Sequence, residues 1–229
     1  MKILSIESAS VTASCAVSNG ENILGEYTLN HKKTHSEKLM PLIEMLMKDL
    51  DLNLTDMDYI AISEGPGSYT GLRIGGAIAK SMAFAAGIEI INVPTLKSLG
   101  ANIFDENKLI IPIMDARAGR IYTAIYKWNK EQFEVVKEQY PCTIDELLEL
   151  LKDYEEAVIF NGDGSVNYKE KIANKLKEKA IFAAERFNYL RASTLASVAY
   201  SMALKGNTIK PRDFKPQYLR LSQAERNRK

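Results

Sequence analysis

Short apolar or alternating runs at residues 2–7, 13–18 and 23–29 open the chain, separated by Ser8-Ala9-Ser10 and by Asn19-Gly20. Apolar runs of this length between turn-formers read as strands, and an Asn-Gly pair between two of them reads as a hairpin. Three strands are therefore predicted before residue 30. Leu39, Leu42, Ile43, Leu46, Met47 and Leu50 then keep the i, i+3, i+4, i+7 spacing of an amphipathic helix. Thr34 or Ser36 is its expected cap, and Pro41 must lie in its first turn or kink it. A fourth strand, Tyr59–Ser63, runs into the glycine-rich loop Gly65–Gly71. After it come a helix to about Ala86, a strand at Ile88–Val93 and a helix from Thr95. The order β-β-β-α-β-α-β-α predicts an α/β fold, a mixed sheet with helices on its faces.

From Leu109 the same order restarts. Leu109–Met114, Ile121–Tyr126 and Phe133–Glu138 read as strands, Thr143-Ile144-Asp145-Glu146 as a capping box opening a helix, and Ala157–Phe160 as a further strand. A polar helix at Val166–Lys179 and a last helix from about Thr194 to Lys205 complete what looks like a duplicated lobe. Residues 1–105 form the expected first lobe and 106–204 the second, its final helix free to pack back on the first. Residues 205–229 carry eight basic and two acidic residues, a local charge of +6, with Pro211 and Pro216 among them. They are predicted to be a basic, extended tail.

Composition narrows the function classes. Thirty basic residues against 29 acidic give a net charge of +1, without the global footprint of a protein that binds nucleic acid on its own. Glu7 interrupts the opening apolar run, which argues against a secretory signal. The most apolar stretch, Ser81–Leu96, holds Gly87, Glu89 and Pro94 and falls short of the ~20 apolar residues that a membrane span needs. Cys15 and Cys142 fit no metal knuckle or disulfide scaffold. A cytoplasmic protein with two structural thiols is expected.

The sharpest local feature is Gly65-Pro66-Gly67-Ser68-Tyr69-Thr70-Gly71-Leu72-Arg73, between a β-branched strand and an apolar helix. Glycines permit positive φ or close backbone approach, and a helix N-terminus offers amides to an anion. The spacing G-x-G-x-x-x-G is one residue too long for the dinucleotide fingerprint, and Ala79-Lys80-Ser81 is not a Walker sequence. An anion-contacting loop and a purely structural turn stand level as readings. His31 and His35 have an i, i+4 spacing, but Lys32 and Lys33 lie between them and no carboxylate completes a site, so no metal is expected. No nucleophile-and-base arrangement is present, so no catalytic residue is expected. Asp115, followed by Arg117 and Arg120, reads first as a salt-bridged strand-end aspartate and second as a carboxylate at a lobe cleft.

The nine-residue segment resembles the signature of the TsaB family, also called YeaZ. His35-Ser36-Glu37, Asp115-Ala116-Arg117-x-Gly119 and Tyr218-Leu219-Arg220 are similar to further family segments, so the likeness covers nearly the whole chain. It implies the actin-like, sugar-kinase-like and Hsp70-like (ASKHA) fold, with two ribonuclease-H-like lobes. It also implies a role in threonylcarbamoyl modification of the adenosine adjacent to the anticodon, in tRNAs that read codons beginning with A. In that role the chain would be a non-catalytic scaffold for the catalytic paralogue TsaD, with the ATPase TsaE joining the pair and tRNA reached only through the complex. A homodimer is the alternative state of the free chain. No cofactor of its own is expected, with ATP or ADP placed, if anywhere, at the interface of the complex. Glu7 stands where the family usually has Asp, and the turn after it lacks the glycines of phosphotransferases of this fold. An active phosphotransferase and, more distantly, a metallopeptidase are the rival readings.

Two helices are candidates for the partner surface. Gly71, Gly75, Ala79, Ala83 and Gly87 recur every four residues as a smooth ridge, flanked by Met82, and such ridges admit close packing. The first helix carries Met40, Met45 and Met47, with Met45 off the main stripe, and methionines outside a core stripe suit a partner. The expected interface comprises Met40, Met45, Gly75, Ala79, Met82 and Ala83.

Overall fold

The computed structural model describes residues 1–30 and 35–219, the side chains of His35 and Ser36 excepted. Thr34, His31 and residues 220–229 of the tail lie outside the described residues, and Ser36, the other expected cap, falls inside the first helix, which begins at His35. The chain divides into two compact units, Met1–Ser98 with Leu190–Lys229, and Leu99–Tyr189. The expected boundaries at 105/106 and 204/205 are corrected accordingly: the second unit begins earlier, and the final helix belongs to the first.

In the first unit, β1 (Lys2–Glu7), β2 (Thr12–Asn19), β3 (Asn22–Asn30), β4 (Tyr59–Gly65) and β5 (Glu89–Pro94) form one sheet in the order β3-β2-β1-β4-β5. The hairpin strands β1, β2 and β3 pair antiparallel, and β4 and β5 add in parallel. Central β1 is buried from Ile3 onward, which is why it reads as a continuous apolar run rather than an alternation. α1 (His35–Asp49) and α2 (Tyr69–Ala86) bury Leu39, Ile43, Leu46, Ala79 and Ala83 against Leu4, Ile6, Cys15, Ile60 and Ile62 in a single apolar cluster. α3 (Thr95–Gly100) follows β5.

In the second unit, β6 (Leu109–Asp115), β7 (Arg120–Asn129), β8 (Gln132–Thr143), β9 (Val158–Asn161) and β10 (Ala180–Phe182) stand in the order β10-β9-β6-β7-β8. Read from β8, this is the first sheet's order, with the same antiparallel hairpins and the same parallel additions. The duplication inferred from element order is present in the topology. α4 (Ile144–Leu150) opens on the expected capping box: Thr143 Oγ1 accepts from the Glu146 amide at 3.2 Å, and Glu146 Oε2 accepts from the Thr143 amide at 2.7 Å. The polar helix expected at Val166–Lys179 is two helices, α5 (Asp163–Asn167) and α6 (Lys169–Leu176). They divide at Tyr168, whose ψ of 16° leaves the helical range. Strand β10, at three residues, is too short a run to stand out in the sequence.

The last helix, α7 (Ala192–Leu204), is held to the first sheet by distant caps. Its first amides donate to Ser14 Oγ of β2 (Ala192 N, 3.1 Å) and to Glu26 Oε1 of β3 (Ser193 N, 2.9 Å). Arg191 donates to Glu26 Oε2 at 2.6 Å. Burial raises the Glu26 pKa, but the bonds from Arg191 and Ser193 outweigh it and hold the carboxyl below its ordinary range. A carboxylate at a helix N-terminus also complements the helix dipole. No local residue caps α7, so the helix is specified by partners some 165 residues away in sequence, as Arg191 is from Glu26.

Two expectations are overturned here. The tail is not unpacked: Ile209 exchanges two backbone hydrogen bonds with Ile90, both 2.8 Å, and Phe214, 2% exposed, joins the apolar cluster of the first unit. Its charge conceals two apolar anchors five residues apart. The small-residue ridge of α2 is not a partner surface either, for Gly75, Ala79 and Ala83 are buried against the unit's own sheet. A Cβ added at Gly75 would lie 2.1 Å from Ser8 Oγ. The ridge does permit close approach, but to β1 and β4. Among the described residues no helix is long and apolar enough to cross a membrane.

It follows that Ala79→Glu acts on folding rather than on recognition. An unpaired charge in this cluster is expected to lower the unfolding free energy by roughly 3–5 kcal/mol. Urea denaturation followed by circular dichroism checks this, and wild-type stability would return the ridge to the surface.

Candidate functional site

Parallel pairing of β1 with β4 sets Ile6 beside Ile62, so the strand ends bring Glu7 next to Ser63. Both are fully buried. Glu7 Oε1 accepts from the Ala9 amide at 2.7 Å, and Oε2 accepts from Ser63 Oγ in a short contact. Burial pushes the Glu7 carboxyl up to about 7, against the opposing effect of the bonds from Ser63, Ala9 and Ser8.

The turn that follows, Ser8-Ala9-Ser10, meets the signature loop directly. The Ser68 amide donates to the Ala9 carbonyl at 2.7 Å, and Ser8 Oγ donates to the Gly71 carbonyl at 2.9 Å. Ser68 caps α2, its Oγ accepting from the Gly71 amide at 3.2 Å. A Cβ at Gly67 would stand 2.4 Å from the Ala9 carbonyl oxygen. The two level readings of the loop are thereby separated. Its glycines admit the chain's own turn, and the amides of Ser68 and Gly71 are taken up by that turn and by the cap. This packing favours the structural reading.

The remaining signature residues face the other way, toward the C-terminal segment. Gly65, at φ +122°, could carry no side chain without meeting the Gln217 carbonyl, 2.3 Å from its would-be Cβ. The Gln217 amide donates to the Glu64 carbonyl at 2.6 Å. Tyr69 packs on Tyr218 with ring centroids 5.0 Å apart, and Arg73 lies over the Tyr69 ring while donating to its hydroxyl at 2.7 Å. Pro66 follows Gly65 through a cis peptide bond, Leu72 is buried, and Thr70 is exposed. Two sequence segments singled out separately, Gly65–Arg73 and the one beginning at Tyr218, are thus neighbours.

In the second unit, Asp115 forms no guanidinium pair. Its Oδ1 accepts from the Arg117 amide at 2.8 Å and its Oδ2 from the Asn167 side chain at 3.0 Å. Arg117, Ala118 and Gly119 all have positive φ, a tight turn between the two arginines. Asp163, which no sequence motif marks, accepts from the Asp115 amide at 3.0 Å. Burial and the Asp115 charge raise its pKa.

Of the expected interface, Met40 and Met82 are half-buried and Met45 is 54% exposed. Met40, Ile43, Met47, Leu52, Leu54 and Met82 line an open groove of about 590 Å³ beside α1, rimmed by Glu44 and Lys48. Phe84 of α2, 81% exposed, is an addition that sequence reasoning missed. A helical wheel exposes it, since it falls off the Gly75–Ala79–Ala83 face that looks inward. Ser63, Phe214 and Gln217 were missed as well, because each acts through neighbours that only the folded chain creates.

The raised Glu7 pKa has a pH signature. A carboxyl whose folded pKa lies above its unfolded value favours the fold most below the unfolded pKa, about 4.5, and that contribution is lost as pH rises through about 7. Glu7→Gln keeps an acceptor for Ala9 and removes the titration. The variant is expected to fold and to lose roughly 3 kcal/mol of stability change across that window. Parallel denaturation series between pH 4.5 and 8 measure the difference, and equal slopes for the two proteins would refute a buried titrating Glu7.

Comparison with known proteins bears out the architecture. The family model described as TsaD, tRNA N6-adenosine threonylcarbamoyltransferase, matches residues 22–228. The Bacillus subtilis tRNA threonylcarbamoyladenosine biosynthesis protein TsaB is 33% identical over 225 residues, 98% of this chain and 96% of that protein. A Pseudomonas aeruginosa crystal structure, described as similar to peptidase YeaZ, superposes with a TM-score of 0.84 at 21% identity, covering 96% of this chain and 99% of that one. A ROK hexokinase from Thermus thermophilus does so at 0.50 and 12% identity over 90% and 100%, which places the fold among the sugar-kinase-like, actin-like (ASKHA) proteins. These likenesses run along nearly the whole chain and through both repeated sheets, and the chain belongs to the TsaB (YeaZ) family of tRNA threonylcarbamoyladenosine biosynthesis proteins.

Proposed function

We propose that the chain is a non-catalytic, cytoplasmic scaffold that pairs with TsaD, with TsaE joining the pair, in forming threonylcarbamoyladenosine next to the anticodon of tRNAs that read codons beginning with A. The observation that carries the pairing is the outer face of α1 and α2. Met45 and Phe84 stand exposed on these helices, and Met40, Met47 and Met82 line the groove beside α1; polarisable side chains of this kind are over-used at binding surfaces. The buried Gly75, Ala79 and Ala83 support that face from beneath.

A phosphotransferase of this fold needs open space and free donors at the turn after β1. Here the Ser8–Ala9 turn is filled by the signature loop, and Glu7 is bonded inward to Ser63. That packing favours a scaffold over the phosphotransferase. ATP or ADP enters this reading only at the interface with TsaD. The competing occupant of the α1–α2 face is a second copy of the chain.

Met45→Asp and Phe84→Asp place charges where the free chain is solvated, so monomer stability is expected to change by no more than about 0.5 kcal/mol. Burying the same charges at an interface is expected to weaken pairing about a thousandfold. Size-exclusion chromatography with TsaD from the same organism reads the pairing, and co-elution of both variants at wild-type affinity would remove this face from the interface. Calorimetric titration of the isolated chain with ATP is expected to show no binding. Micromolar affinity would favour the phosphotransferase instead.

A further inference from the structure

The C-terminal segment has two faces. Ile209 and Phe214 turn inward: Ile209 is bridged to Ile90, and Phe214 lies over Gly76, where an added Cβ would be 2.7 Å from its ring. Lys80 Nζ donates to the Phe214 carbonyl at 3.2 Å, and the Gln217 amide ties the segment to Glu64. Lys205 before these anchors, and Lys210, Arg212 and Lys215 among them, are exposed. Asp213 is the one acid exposed among them; it lies 3.8 Å from Arg212 in a solvated pair too weak to hold the guanidinium.

The charge of the chain is sharply divided. Residues 1–204 hold 22 basic and 27 acidic residues, a net of −5, whereas residues 205–229 hold eight and two. The acidic excess lies before residue 205 and the basic excess after it, where the exposed Lys205, Lys210, Arg212 and Lys215 stand against Asp213. Charges fixed on a pinned backbone lose less freedom on binding than the same charges on a loose tail. The family makes a modified tRNA nucleoside, and an RNA backbone is the polyanion at hand.

We propose that Lys205, Lys210, Arg212 and Lys215 form a phosphate-binding stripe for tRNA, displayed by the strap that Ile209 and Phe214 anchor. The stripe rests on the scaffold reading, because it serves tRNA already held in the complex with TsaD. It carries no base specificity, since lysines at this spacing neutralise phosphates without reading base edges.

The test replaces all four residues by Gln in the full chain and titrates fluorescent tRNA with the reconstituted TsaD complex over a series of salt concentrations. Each phosphate left without its cation lowers the slope of log K against log salt by about 0.7–0.9. The four-fold variant is expected to bind tRNA about tenfold or more weakly at low salt, with a slope shallower by roughly two or more, and still to co-elute with TsaD. Unchanged affinity and slope would overturn the stripe. So would loss of TsaE retention with tRNA binding intact, which would reassign the face to an acidic protein partner. If the wild-type chain does not co-elute with TsaD, the scaffold reading fails by itself. The stripe is then judged by the same titration on the chain alone, where equal tRNA binding by wild type and variant overturns it.

Discussion

The interaction on which the first unit depends is the meeting of the Ser8–Ala9 turn with Gly67, Ser68 and Gly75. The Ser68 amide and the Ala9 carbonyl join β4 and α2 to the end of β1, and the absence of side chains at Gly67 and Gly75 makes the approach possible. From it follow the burial of Glu7, the seating of α2 on the sheet and the direction in which Tyr69 and Arg73 leave the loop. A signature rich in glycine is easily taken for a ligand cradle. In this protein the glycines make room for the chain's own Ser8–Ala9 turn.

Much of this is legible in the sequence, for identifiable reasons. Strands of continuous apolar residues and a helix with regular spacing are local patterns, so β1 to β7, β9, α1 and α2 fall close to where periodicity puts them, while β8 runs to Thr143, well past the expected Glu138. The capping box at Thr143 is equally local. The features that sequence misplaces share a cause. Spacing marks the α2 ridge as a packing surface but does not say what packs on it, and the sheet of the same unit is closer than any partner. In the tail, the charges outnumber Ile209 and Phe214 and hide them. Asp115 reads as paired with the arginines nearest in sequence, whereas its carboxylate accepts from the Arg117 amide and the Asn167 side chain, a partner 52 residues away.

The interface residues divide along the same line. Met45 stays exposed because it lies off the inward stripe of α1, and Phe84 for the same reason on α2, so both are readable from a wheel once the inward face is known. Gly75, Ala79 and Ala83 act one step removed, by fixing the height at which α2 sits and hence how far Phe84 stands out. A conservative replacement on the hidden side of the helix would tilt the visible side.

The order of synthesis meets a peculiarity of the chain's layout. The first unit is discontinuous, with Met1–Ser98 completed only by Leu190 onward, and the second unit lies wholly between the two pieces. On a ribosome, residues 99–189 have all their own partners before α7 and the strap emerge, and domains tend to fold as their chains become complete. The N-terminal sheet must therefore wait, with the face that α7 will cover and the surface of Gly76 on which Phe214 will pack still open, until residues 190 onward arrive.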